Sequence, residues 1–292
     1  MLYDTIISRQ PVEKGWSGDR KYHAVTESGE DYLLRITEPQ RAEHFRRCFF
    51  RMQEAAALII PMCLPIELGE SAEGTYAIHS WIDGDDAEEL IPTMPKEKQY
   101  AYGLDAGRIL KKLHSLPAPA DAEPWTTRFS AKIDRKIAMY ERCPLKYENG
   151  EAFLEFIAQN RYLLKDRPQA YQHGDYHIGN MMVDRDGKLT VIDFDRDDYG
   201  DPWEEFNRIV WCAQASEAFA SGMIDGYFNG EAPMEFWNLL ALYIASNSLS
   251  SLPWAVAYGE REIAVMQQQA AQVLSWYRNM TQVVPTWYRR RK

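Results

Sequence analysis

The chain has 292 residues, of which 33 are basic and 43 acidic, for a formal net charge of −10, and 46% are hydrophobic. That is enough apolar material for a sizeable core, in one two-lobed domain or two small ones. The acidic surplus argues against nucleic acid as a partner, because phosphate backbones are bound by basic surfaces.

From the N-terminus the signals are those of strands and hairpins. Ile6 to Glu13 reads as a first strand, Lys21 to Thr26 as a second and Asp31 to Ile36 as a third, with Ser28-Gly29-Glu30 turning the chain between the last two. Lys14-Gly15-Trp16-Ser17-Gly18-Asp19 separates the first two. Such a glycine turn can fold over phosphates, since backbone N–H groups approach closely where no Cβ intervenes. Gly15, Ser17 and Gly18 are therefore candidate nucleotide contacts. Pro39 stops the third strand, and Phe45, Cys48, Phe49, Met52, Ala56 and Ile59 then mark one face of a helix, with Glu54 read near the edge of that stripe. After Pro61, strands at Ile66 to Gly69 and Thr75 to Trp81 complete a small sheet, which Asp83-Gly84 interrupts.

The rest is mainly helical. Tyr100, Leu104, Gly107, Leu110 and Leu113 form one amphipathic stripe ending near His114, and Pro117 to Pro124 reads as a loop. Two helices follow, marked by Ile133, Ile137 and Tyr140 and by Phe153, Phe156 and Ile157. Beyond Phe206 aromatic residues recur at helical spacing, and Arg289 to Lys292 reads as a disordered tail. The four cysteines, Cys48, Cys63, Cys143 and Cys212, form no Cys-x-x-Cys pair, which points to thiols in a reducing compartment and not to a zinc site or disulfide framework. The N-terminus has no basic segment leading into an apolar core, and no apolar run is expected to approach the roughly eighteen residues of a membrane span. A soluble cytoplasmic protein without a membrane partner is expected.

The most informative stretch is Gln172 to Glu205, QHGDYHIGNMMVDRDGKLTVIDFDRDDYGDPWEE. His173-Gly174-Asp175 places a carboxylate on a tight turn. Asn180 opens a strand, Asp186-Gly187 is a hairpin signal, and Leu189 to Ile192 is the return strand. Pairing of the two strands brings Asp193 back beside Asn180. A carboxylate and an amide oxygen on a rigid hairpin suit Mg²⁺, which is usually bound through one or two carboxylates plus substrate phosphates. Asp175 is then free to orient a hydroxyl and accept its proton. The alternative is a hairpin with solvated acidic ends.

At HGDYHIGN, VIDF and GDPWEE the chain resembles the aminoglycoside phosphotransferase family, a branch of the protein-kinase-like fold that phosphorylates small molecules. Glu205 stands where that family commonly carries Asp. The resemblance implies that Asp175 is the catalytic base, that Asn180 and Asp193 are Mg²⁺ ligands, and that His173 and Asp201 brace the loop. It places Arg35 where kinase-like folds carry a phosphate-binding lysine, with Glu54 on the following helix as its partner. Ser80 and Ile82 take the positions whose backbone receives the nucleobase edge, and His79 lies next to the purine pocket with no role assigned.

The expected fold is α+β, a two-lobed protein-kinase-like fold. A small mixed sheet plus one helix makes the N-lobe over residues 1–83, and a larger helical C-lobe over 84–292 carries the catalytic hairpin. The expected reaction is transfer of the γ-phosphoryl of ATP or GTP, with Mg²⁺, to a hydroxyl on a small molecule. An aminoglycoside or related antibiotic is the first candidate acceptor. A metabolite such as an amino alcohol, amino acid or sugar is the alternative, and a nucleotide-binding regulator without catalysis, or a hydrolase, is a further one. Asp195, Asp197 and Asp198 follow Asp193 directly, either as a solvated turn or as an acidic cleft mouth that would favour a cationic acceptor.

Overall fold

The computed structural model describes residues 1–13 and 18–289. Its contacts divide the chain into two compact units. The first contains Met1–Leu90, His173–Asp175 and Gly179–Asp198, and the second Ile91–Gln172, Tyr176–Ile178 and Tyr199–Lys292.

In the first unit, strands β1 (Ile6–Pro11), β2 (Arg20–Thr26), β3 (Asp31–Thr37), β4 (Pro65–Ser71) and β5 (Gly74–Ser80) form a sheet of order β1-β2-β3-β5-β4, with helix α1 (Ala42–Ala56) between β3 and β4. Every pairing is antiparallel, so the sheet is not mixed as expected. β2 with β3 and β4 with β5 pair as sequence neighbours, and α1 leads from β3 to β4, the edge strand beyond β5. Side chains alternate across the pleat. Ala24, Leu34, Ile36, Tyr76 and Ile78 bury one face beneath Leu2 and Tyr3, while Ala77 on the other face meets Phe45 and Phe49 of α1. Lys21, Arg35 and Ala77 share one cross-strand row, Lys21 opposite Arg35 and Arg35 opposite Ala77, and so lie on the α1 face.

Helix α1 ends at Ala56, and Ile59, expected on its apolar face, is 87% exposed with φ +54°. The chain is already turning toward Pro61. A second sheet of this unit was only partly foreseen. Strand β6 (Gly84–Asp86), read as an interruption, pairs with β8 (Met181–Asp184), which pairs with β9 (Leu189–Val191). Helix α2 (Ala87–Leu90) packs on β8.

The second unit contains α3 (Lys96–Leu113), α4 (Trp125–Arg142), α5 (Glu151–Asn160), α6 (Ile209–Ala215), α7 (Glu217–Phe228), α8 (Met234–Val256) and α9 (Glu260–Trp276), with β7 (Ala170–Gln172) paired to β10 (Asp198–Gly200). Helices α3 and α7 touch backbone to backbone through four glycines. A Cβ at Gly103 or Gly107 would stand 2.1 Å from a carbonyl oxygen of α7, and at Gly222 or Gly226 2.2 Å from one of α3. Among the described residues one helix, α8, is long and apolar enough to cross a membrane, contrary to the expectation that no run approaches that length, and 61% of that stretch is buried. It packs against α4, α5 and α9 as the central helix of this unit. The expected C-terminal tail is anchored as far as it is described. Tyr288 donates to Asp225, and the Arg289 N–H donates to Ser221 Oγ, both on α7, while residues 290–292 lie outside the described residues.

Candidate active site

The loop that opens the β8–β9 hairpin is held by short-range contacts the sequence dictates. Gly174 adopts φ +83°, and a Cβ there would stand 1.8 Å from the Arg196 carbonyl oxygen, so no other residue fits without moving the backbone. His173 is fully buried. Its Nε2 lies 3.0 Å from the Ile192 carbonyl and must donate to it, and its ring packs 4.5 Å from Phe194, so this residue ties the loop to the return strand. The Asn180 amide donates to the Asp175 carbonyl at 2.8 Å, and the Ile192 N–H donates to the Asn180 carbonyl at 3.0 Å. The hairpin therefore sets Asp193 next to Asn180. Asp193 has the left-handed conformation, φ +65°, uncommon outside glycine and found most often in Asp and Asn. The Asp175 carboxylate is 17% exposed and lies 3.6 Å from Arg196.

Asn180 and Asp193 border a cavity of about 240 Å³ in this unit. Its other walls include Lys21, Leu33, Arg35, Met52, Cys63, His79, Ser80, Trp81, Ile82, Asp86 and Met182. The walls are largely apolar, with a few polar groups among them, which is the pattern of a small-molecule site. Among the described residues no three His, Cys, Asp or Glu side chains cluster as a self-sufficient metal site. The pair of one carboxylate and one amide oxygen instead fits Mg²⁺ that takes its remaining ligands from phosphate and water.

The predicted residues do not all converge. Asn180, Asp193, Arg35, Ser80 and Ile82 line the cavity. Gly18 packs against Arg41, and Gly15 and Ser17 lie outside the described residues. Glu54 does not pair with Arg35. It is exposed and, among the described residues, has no ion-pair or hydrogen-bond partner. Nine residues after Phe45, at 3.6 residues per turn, Glu54 points about 180° away from the buried stripe, not along its edge.

Arg35 is held instead by two carboxylates the sequence did not offer as partners, Asp19 just before β2 and Asp195 two residues past Asp193. Burial works against the guanidinium charge, but Asp195 and Asp19 outweigh it and keep the group firmly protonated. Burial likewise opposes charge on Asp195, and Arg35 more than offsets it, holding its pKa below the usual range. Asp197 is closed off in the same way, with its side chain 1% exposed and paired to Arg51 of α1. Of the three acids read as a cleft mouth, only Asp198 is exposed.

His79, to which no role was given, is 4% exposed, and neither ring nitrogen has a partner. Burial first, and then the nearby Arg35, push its pKa down to about 3, so the ring is neutral. The four cysteines are buried free thiols. In the second unit Asp201 is fully buried and accepts from Arg167, Tyr243 and the Trp203 N–H, while its carbonyl receives the side chain of Gln172. His114 lies between Tyr227 and Glu205.

Residues 8–237 match the family described as APH, phosphotransferase enzyme family. The chain belongs to this family. It is thus a small-molecule kinase that uses a nucleotide donor and a hydroxyl acceptor. No curated protein sequence matches it significantly. Among solved structures, this APH-family kinase is similar to a thermostable mutant of aminoglycoside phosphotransferase APH(4)-Ia in ternary complex with ADP and hygromycin B, at 18% identity and TM-score 0.67 over 96% of both chains. A choline/ethanolamine kinase family protein from Mesorhizobium loti aligns at 16% identity and TM-score 0.65 over 91% of this chain and 88% of the other. The GDP complex of an aminoglycoside 2'-phosphotransferase IIIa mutant aligns at 15% identity and TM-score 0.65 over 91% and 92%. At such identities these likenesses speak for the α+β kinase-like fold.

Proposed function

We propose that this chain transfers the γ-phosphoryl of ATP or GTP to a hydroxyl of a small molecule, with Asp175 as the proton acceptor and the 240 Å³ cavity as the nucleotide site. The observation that carries this reading is the hairpin closure, in which the Ile192 N–H binds the Asn180 carbonyl and brings together Asn180 and Asp193, both of which border the cavity. Asn180 and Asp193 would hold Mg²⁺. An ion held there would supply positive charge to offset that of the phosphates. Asp175, fixed through its own carbonyl to Asn180, orients the acceptor hydroxyl and takes its proton. Ser80 and Ile82 offer backbone groups to the nucleobase, and buried thiols suit a reducing cytoplasm.

Two acceptor classes follow from the neighbours. An aminoglycoside or related antibiotic, with a role in resistance, is suggested by the two aminoglycoside phosphotransferases. A metabolite alcohol is suggested by the choline/ethanolamine kinase family protein. The internal ion pairs of Asp195 and Asp197 remove two of the three carboxylates that would have attracted a cationic acceptor, which weakens the electrostatic case for a cation of either class. The test is triphosphate consumption by the purified protein against aminoglycosides, macrolides, amino alcohols and sugars, with Asp175→Asn as control. Consumption that no acceptor stimulates, or that persists in the variant, would contradict the kinase reading.

A further inference from the structure

Among the described residues the cavity wall carries two cations, Arg35 on β3 and Lys21 on β2. They stand directly opposite each other in the β2–β3 ladder and project from the same face of the sheet. Their surroundings differ. Arg35 is buried, and Nη2 alone is shared between Asp19 and Asp195. Asp19 has a fully buried side chain and is held a second time by Arg41. To turn toward a phosphate, Arg35 would have to leave two carboxylates unpaired, one with no access to water, and an uncompensated buried charge is among the costliest changes a fold can make. Its own charge is in any case cancelled locally by those acids. Lys21 is half-buried and, among the described residues, has no hydrogen-bond or ion-pair partner. Asp195, whose charge Lys21 helps to stabilise, is already engaged by Arg35.

Resting on the reading of this cavity as a nucleotide site, we infer that Lys21, not Arg35, is the cation that binds the phosphate chain of the nucleotide, and that Arg35 is a positioning residue. Arg35 fixes Asp195, and through it the chain after Asp193, while the ammonium on the neighbouring strand reaches the phosphate oxygens. A lysine suits this work because its point charge on a flexible stem can follow the phosphate without a fixed fork geometry. Asp193, where the metal would be held, borders the same cavity, so the phosphates would meet positive charge from Lys21 as well as from the ion.

The experiment is calorimetric titration of the full-length chain with the Mg²⁺ complexes of AMP-PNP and GMP-PNP, and separately with adenosine and guanosine. A charge-assisted hydrogen bond of the usual strength predicts that Lys21→Met weakens the better triphosphate about tenfold or more. The matching nucleoside should bind as to wild type, the melting temperature should not move, and Lys21→Arg should restore most of the loss. Arg35→Met should instead lower the melting temperature. Equal affinity of Lys21→Met and wild type for the triphosphate overturns the inference, as does parallel weakening of triphosphate and nucleoside. Failure of the wild type to bind either triphosphate overturns the nucleotide-site reading itself, and so the two failures are distinguishable.

Discussion

Arg35, buried, and Arg167, half-buried, each hold two carboxylates, one arginine in each unit, yet their neighbours are satisfied to different degrees. Arg167 binds Asp201 through Nε and Nη2, reaches Glu235 and stacks 4.1 Å over Trp203, and Asp201 also accepts from Tyr243 and a backbone N–H. A carboxylate so fully engaged locks helices and offers nothing to a ligand. Around Arg35 the accounts stay open: its Nε and both nitrogens of His79 have no partner, and both residues face a cavity. Buried polar atoms are normally paired, so a cluster left unpaired around a void points to a site that a ligand completes. Two ion pairs that look alike in a sequence are thus separated by what remains unsatisfied beside them.

Within the first unit, Asp175→Asn sharpens the contrast most. It should leave the fold and nucleotide affinity intact and lower turnover by a factor of roughly 10² or more, the usual scale for losing a general base. Steady-state kinetics with any acceptor found by screening checks this, and comparable turnover would remove Asp175 from the chemistry.

In the second unit the corresponding change is Arg167→Met, which strips Asp201 of its main partner. Breaking a buried pair by removing one member costs about 3–5 kcal/mol, so this variant should lose much of its stability in thermal denaturation. An unchanged melting temperature would mean that the Asp201 network is not a structural lock.

A smaller effect concerns His79 and pH. Its folded pKa of about 3 lies below the ordinary value of 6.5, so the unfolded chain takes up a proton first as pH falls. Stability should therefore decline progressively as pH drops from 6.5 toward 3, and His79→Leu should flatten that part of the curve. A profile identical in the variant and the wild type would show that His79 is protonated in the folded protein at no cost.

The two regions were also legible to different degrees. The hairpin could be read because its parts are local: Asn180, the Asp186-Gly187 turn and Asp193 lie within one short stretch, and β-pairing alone sets the ends together. Helix α1 was found from its apolar period, but its charged face was misjudged, since the outward direction of Glu54 follows only when the helical phase is counted from Phe45. The partners of Arg35 could not have been read. Asp195 is 160 residues away, and Asp19 lies just before a neighbouring strand whose register depends on the whole sheet. Strand β6 carried no signal beyond Asp83-Gly84, because three residues are too few for a period to emerge. Lys21 showed nothing as an isolated letter and His79 was placed next to the purine pocket without a role; the cavity they share makes both functional candidates.

The central claim is that Asn180 and Asp193 make this cavity a Mg²⁺-dependent nucleotide site. Calorimetric titration of AMP-PNP and GMP-PNP into wild type and Asp193→Asn, each with and without Mg²⁺, tests it most directly. The account predicts wild-type binding that depends on Mg²⁺, and no Mg²⁺-enhanced binding in the variant, because a neutral amide cannot balance the ion as a carboxylate does. Equal Mg²⁺-dependent affinity in the two proteins would contradict it.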